Sequence, residues 1–186
     1  SLPTDGQVVD VPRSLRLEKG PAFGHKGGNS DDAPWPMYRQ DQRRYSSSTE
    51  PVPATGLKRL WKVQLPHAAS PPAIAEGMVF VAETDAHTLR ALDAASGKAR
   101  WQYVAGGRID SPPTYHNGLL LFGSRDGWMH CVRASDGVLC WRFRDLPDRL
   151  ICSFGQLESA WPIHGSVLIK DNIVYFCAGR SSYLDG

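Results

Sequence analysis

The chain has 186 residues, enough to bury one core, and its 21 Lys and Arg stand against 19 Asp and Glu, so a net charge of +2 leaves no basic footprint for nucleic acid or an anionic lipid surface. No apolar run approaches the roughly 18 residues that a spanning helix needs, and residues 1–20 lack the charged-then-apolar order of a signal peptide. Six Trp, 18 Gly and 14 Pro in a chain that is 41% hydrophobic suit many short strands joined by tight turns.

Residues 1–33 scatter Gly, Pro and charge with no sustained period of 2 or 3.6, which predicts an irregular arm. Within it GHKGGNS lacks both the Walker spacing and a preceding strand, so it reads as a loop and not as a phosphate cradle. From Trp61 the pattern changes. LWKVQL, SPPAIAEG, MVFVAET, HTLRALD and KARWQYVA are short runs rich in β-branched and aromatic residues, cut by Gly, Pro, Asp and Ser. A second pass repeats the order with SPPTYHNG, LLLFGSRDG, WMHCVRA and VLCWRFR. A third begins at WPIHGSVLIKDN and IVYFCAGRSSYLDG and supplies half as many strands.

Four short strands at a period near 40 are the signature of a propeller blade, a unit that cannot bury its own apolar faces and stacks radially with its neighbours. The expected fold class is therefore all-β: a partial β-propeller of four-stranded antiparallel blades, about two and a half of them. The expected boundaries are an arm over 1–33 and propeller over 34–186, with the outer strand of a closing blade at about 60–65, blades at 70–105 and 111–145, and a half blade at 161–186. ALDAASGKARW (91–101) and CVRASDGVLCW (131–141) match at Gly97 and Gly137 and at Trp101 and Trp141, so each Trp is expected to lie against the next blade.

These phrases, with FGSRDGWMHC, resemble the pyrroloquinoline-quinone-like propeller repeat: Ala91, Asp93, Gly97 and Trp101 fit its pattern, whereas Cys131 and Arg133 depart from it. The stretch from Trp35 (WPMYRQDQRR) is similar to the segment that opens the propeller in large bacterial relatives. The resemblance implies seven or eight blades in all, completed by the remainder of the same propeller or by a second chain or copy. It also implies a periplasmic or extracellular setting. Its members divide between scaffolds and quinone-dependent dehydrogenases, so the fold does not fix function. The expected function is a binding scaffold that holds a peptide, glycan or partner protein at the channel mouth. The alternatives are a quinoprotein using pyrroloquinoline quinone with calcium, or a carbohydrate-active propeller. The first lacks the vicinal cysteines that the resemblance would call for.

Loops that crowd one mouth of such a channel carry the candidate ligand-binding residues. They are His67, Glu83, Asp85, Arg108, Asp110, Arg125, Gln156, Glu158 and Arg180, with His87 and Asp126 in the same loops. Glu158, near Trp161, is the candidate catalytic acid, expected to be desolvated with a raised pKa. Asp126 before Gly127 reads more readily as a plain hairpin turn than as a ligand. No cysteine or histidine spacing suggests a metal site. Counting outward from the SDG turn sets Cys131 opposite Cys140, within reach of a cross-strand disulfide.

Overall fold

The computed structural model describes residues 12–28, 32–48, 51, 53–153 and 155–180; the remaining parts of the arm, and the last residues of the expected half blade, lie outside it. Beyond one short helix, α1 (Arg13–Arg16), the described elements are strands. β2 (Ala73–Ala75), β3 (Met78–Glu83), β4 (Thr88–Asp93) and β5 (Ala99–Val104) form one antiparallel sheet in chain order. A second copies it with β6 (Thr114–His116), β7 (Leu119–Gly123), β8 (Met129–Arg133) and β9 (Leu139–Phe143). β10 (Leu150–Ser153) and β11 (Gln156–Ser159) make a separate hairpin, and β12 (Leu168–Lys170) pairs with β13 (Ile173–Tyr175) as the start of a third copy.

Each copy opens with the same device. Glu76 and Gly77, Asn117 and Gly118, and Asp171 and Asn172 all take positive φ between the first two strands. Two consecutive left-handed residues make the tight hairpin turn whose twist matches the strands it joins. The innermost strands β2, β6 and β12 then lie side by side, so the sheets fan outward from a common axis. Residues of the Trp35 segment run along this inner edge: Trp35 exchanges backbone hydrogen bonds with Ile74, and the Pro36 carbonyl accepts from Tyr115 N–H.

The second sheet is buried on both faces. Leu120, Phe122 and Val132 pack with Phe80, Leu89 and Ala91 of the first sheet. Leu121, Met129 and Cys131, one residue out of phase on the same strands, pack with Ile163, Val167 and Ile169 of the third copy. A strand flanked on both sides reads as a near-continuous apolar run, and LLLF does.

Tryptophans clamp one copy to the next. Trp61 Nε1–H donates to the Ala94 carbonyl at 2.8 Å, and Trp101 Nε1–H donates to Ala134 at 2.9 Å. Each ring covers the turn glycine, where a Cβ would meet it at 2.7 Å over Gly97 and 2.4 Å over Gly137. Both glycines also have positive φ, 70° and 72°, so the close approach and the backbone demand the same residue.

Three local expectations are corrected. Residues 60–65 form no strand, although Trp61 takes the seat expected of an outer-strand tryptophan. The arm is not wholly irregular: β1 (Leu17–Lys19) adds antiparallel to β9, pairing Leu17 with Phe143 and Lys19 with Trp141, and makes the second sheet five-stranded. And Cys131 pairs with Trp141, not Cys140, because a bulge between β8 and β9 makes Cys140 the extra residue; the first sheet carries the same bulge at Arg100.

Candidate functional site

One end of the sheets gathers loops from three successive copies. Asp85 sits in the turn between β3 and β4, Arg108 and Asp110 in the link from β5 to β6, Arg125 in the turn between β7 and β8, Glu158 on β11, and Arg180 beyond β13. The β10–β11 hairpin has no counterpart between the first two sheets. Its register pairs Ile151 with Glu158 and Ser153 with Gln156 on one face, and Cys152 with Leu157 on the other. Glu158 is buried, whereas Leu150 and Leu157 are 55% and 67% exposed.

The six charged side chains join in one alternating line. Asp85 Oδ1 lies 3.3 Å from Arg108 Nε, which lies 3.6 Å from Asp110 Oδ1. Asp110 in turn accepts from Arg125 Nε. Arg125 Nη1 donates to both oxygens of Glu158 at 3.1 Å, and Arg180 Nη2 donates to Glu158 Oε2 at 2.7 Å. Arg180 also reaches Ser153 Oγ at 3.3 Å and the Ser159 carbonyl at 3.4 Å. Six of the sequence candidates are thus brought together, each acid facing at least one arginine.

The electrostatics reverse the expectation for Glu158. Burial by itself would raise its pKa, but hydrogen bonds from Arg180 and Arg125, together with their charges, outweigh that and hold the carboxyl below its ordinary range. Arg125 is likewise penalised by burial and overcompensated by Asp110 and Glu158, so it is held even more firmly protonated. An acid clamped in its ionised form between two guanidinium groups has no proton to give, and its lowered basicity makes it a poor acceptor of one.

The other candidates lie apart. His87 Nε2 and Gln156 Oε1 meet at 3.1 Å across the same end. His67 is exposed. Glu83, fully buried at the end of β3, is held by Arg90 of β4 and not by the line of charges. Asp126 behaves as the turn reading has it, accepting from Trp128 N–H at 2.9 Å, and it also accepts from Gly106 N–H at 3.0 Å.

The sequence reading missed the group behind Asp126. His130 is fully buried, stacked on Phe122 with ring centroids 5.2 Å apart. Its Nε2 lies 3.1 Å from Asp126 Oδ2 and its Nδ1 3.0 Å from the Tyr103 hydroxyl. With Nε2–H donating to the carboxylate, Nδ1 accepts from Tyr103, and the ring's two nitrogens are both satisfied. Burial opposes ionisation of Asp126, yet the hydrogen bonds it accepts, from His130 first and from Trp128 N–H, prevail and lower its pKa. Burial pushes the Tyr103 hydroxyl up to about 12. Nothing in the spacing of Tyr103, Asp126 and His130 announces this contact, which depends on β5 and β8 belonging to neighbouring sheets.

The residues present do not fit a quinone–calcium centre. Calcium takes six to eight oxygen ligands with free carboxylates among them, whereas Asp85, Asp110 and Glu158 are engaged by arginines. Among the described residues no three His, Cys, Asp or Glu side chains are grouped to hold a metal ion. No described helix is long and apolar enough to cross a membrane.

On the far side of the second sheet an apolar groove of about 340 Å³ is walled by Met129, Trp141, Phe143, Val174 and Phe176, with Leu17 and Phe23 of the arm at its lip. Trp141 stands here in the position that Trp61 and Trp101 occupy in their copies.

A family model described as outer membrane protein assembly factor BamB matches residues 52–181. No curated protein matches the chain significantly. Among solved structures, BamB from Moraxella catarrhalis is 24% identical with a TM-score of 0.51, over 64% of this chain and 33% of that one. Quinohemoprotein alcohol dehydrogenase from Comamonas testosteroni is 16% identical with a TM-score of 0.60, over 83% of this chain and 24% of that one. A europium-containing methanol dehydrogenase is 17% identical with a TM-score of 0.56, over 78% and 27%. At these identities the likeness is one of fold, a β-propeller, and the chain spans a third or less of each of these proteins.

Proposed function

From the premise that the chain belongs to the family described as outer membrane protein assembly factor BamB, we propose that it is part of a non-catalytic scaffold whose channel mouth receives a segment of a partner protein. The single observation that carries the reading is the line from Asp85 to Arg180, in which every acid is neutralised by an arginine. Such a rim has no poised acid or base and no free ligand set, yet it offers alternating charge in fixed positions, which sets register and partner choice. The exposed Leu150 and Leu157 beside it supply apolar area next to a polar border, the usual anatomy of a protein interface.

The same reading has the apolar groove covered by the rest of a ring, from the same polypeptide or from a second chain, and sets the protein outside the cytoplasm. Glycan hydrolysis with Glu158 as the acid is disfavoured by its ionised state.

The test is a titration of the chain with soluble portions of outer-membrane β-barrel assembly proteins, read by calorimetry at two ionic strengths. Binding that weakens at high salt and falls at least tenfold in Arg125→Ala and in Leu157→Asp is the expected result. A parallel arm adds pyrroloquinoline quinone with calcium. A bound chromophore with dye reduction, and no protein binding, would replace the scaffold reading with the dehydrogenase one.

A further inference from the structure

The outer hairpins of the two complete sheets are tied across their turns in different ways. In the first, Arg100 is the bulge residue and reaches back to Asp93, Nη2 to Oδ2 2.6 Å. In the second, Arg133 and Cys140 stand at those two positions, and Arg133 turns instead to Asp136 within the turn. The ion pair has no counterpart there. At the same time the small Ala91 of the first hairpin is exchanged for Cys131.

The bulge brings these two replacements together. It sets Cys140 and Trp141 jointly against Cys131, so both sulfurs enter the same apolar cluster with Leu121, Met129 and Val167. Cys131 is fully buried and Cys140 nearly so, at 0% and 2% exposure, and both belong to one packed cluster in which Cys140 Sγ lies 3.9 Å from the Val138 carbonyl. Gly20 and Ala22 of the arm donate their N–H groups to the Cys140 and Leu139 carbonyls and roof the pair. In contrast, Cys152 and Cys177 are exposed.

The geometry points to Cys131 and Cys140 as a redox pair that closes to an intrachain disulfide and takes the place of the missing cross-hairpin ion pair. Both are thiols in the structure, so closure needs an acceptor of two electrons, namely an external disulfide of the glutathione or oxidoreductase class. The Cys140 thiolate attacks it, forming a mixed disulfide and releasing one thiol. The Cys131 thiolate then displaces the second, so two protons leave the pair and the external disulfide ends as two thiols. Because burial and the neighbouring sulfur push the Cys131 thiol up, the thiolate is scarce once the hairpin is covered. Exchange therefore belongs to the stage before the arm and the third copy close over the hairpin. This inference stands independently of the channel mouth.

To test it, the reduced 186-residue chain is refolded in a mixture of reduced and oxidised glutathione, quenched with acid, and alkylated in guanidinium without reductant. Trypsin cuts after Arg125, Arg133 and Arg142, which separates residues 126–133 from 134–142. The expected result is that these two peptides travel as one species that reduction splits, with Cys152 and Cys177 alkylated, so reactive thiols fall from four to two. Four alkylated cysteines, or a link that joins Cys152 or Cys177, would overturn it.

Discussion

Gly137 carries two demands that can be separated by substitution. Its φ of 72° penalises any Cβ, and that Cβ would also stand 2.4 Å from the Trp101 ring. Gly24 has φ of 84° with nothing within 4 Å, so it bears the first demand alone. Gly24→Ala should cost about 1 kcal/mol for the left-handed backbone, and Gly137→Ala should exceed it by about 2 kcal/mol as Trp101 is driven from its seat. Urea denaturation followed by tryptophan fluorescence measures both, and equal losses would mean that the ring moves aside freely. At the rim, Glu158→Gln leaves Arg180 without its counter-charge and Arg125 with Asp110 alone, in a site where the acid is 1% exposed, a loss on the order of 2–3 kcal/mol at neutral pH. The sign of its pH dependence follows from the depressed carboxyl. Its contribution is complete above the unfolded value of about 4.5 and is lost as pH falls through the lower folded value. Denaturation profiles of wild type and Glu158→Gln should therefore stand fully apart above about pH 4.5 and converge as the pH falls below it.

Among the elements, the arm strand is the one that the sequence concealed. Leu17–Lys19 has no alternation of its own, since its pairing with β9 is a backbone contact at a sheet edge and all three residues are exposed. The middle blade strands β3, β4, β7 and β8 were legible for the opposite reason: consecutive side chains on them are buried, so composition records the packing. The bulges at Arg100 and Cys140 shift register by one residue, and counting outward from a turn cannot detect a bulge. The loop residues of the charged line were legible as a group, because the propeller repeat itself indicates which turns share an end. Their partners, and hence the ionised state of Glu158, were not. The arm's signal lies in Gly20, where a Cβ would come within 2.2 Å of the Leu139 carbonyl oxygen. Gly20→Val should lift the arm without unfolding the sheet. Amide hydrogen exchange is then expected to quicken at Leu17–Lys19 and at Trp141–Phe143 while β7 and β8 keep their protection. Uniform loss of protection would show that the arm is integral to the fold.

For the whole molecule, the decisive surface is the flank at which the described sheets end. Trp61 and Trp101 each find a carbonyl and a glycine turn in the next copy. Trp141 instead lines the apolar groove with Phe143, Val174 and Phe176. Burying such a surface is favourable by roughly 25 cal/mol per Å², and in isolation the chain has only its own copies with which to bury it. Sedimentation velocity across a hundredfold concentration range should therefore show association of the wild-type chain. Phe176→Asp, which puts a charge at the groove's rim next to Phe143, should hold it monomeric without lowering its denaturation midpoint. A wild-type chain that stays monomeric throughout, with Trp141 quenched by acrylamide no more than Trp101, would mean that the groove is closed by the chain itself. The proposed ring would then need no further protein on this side.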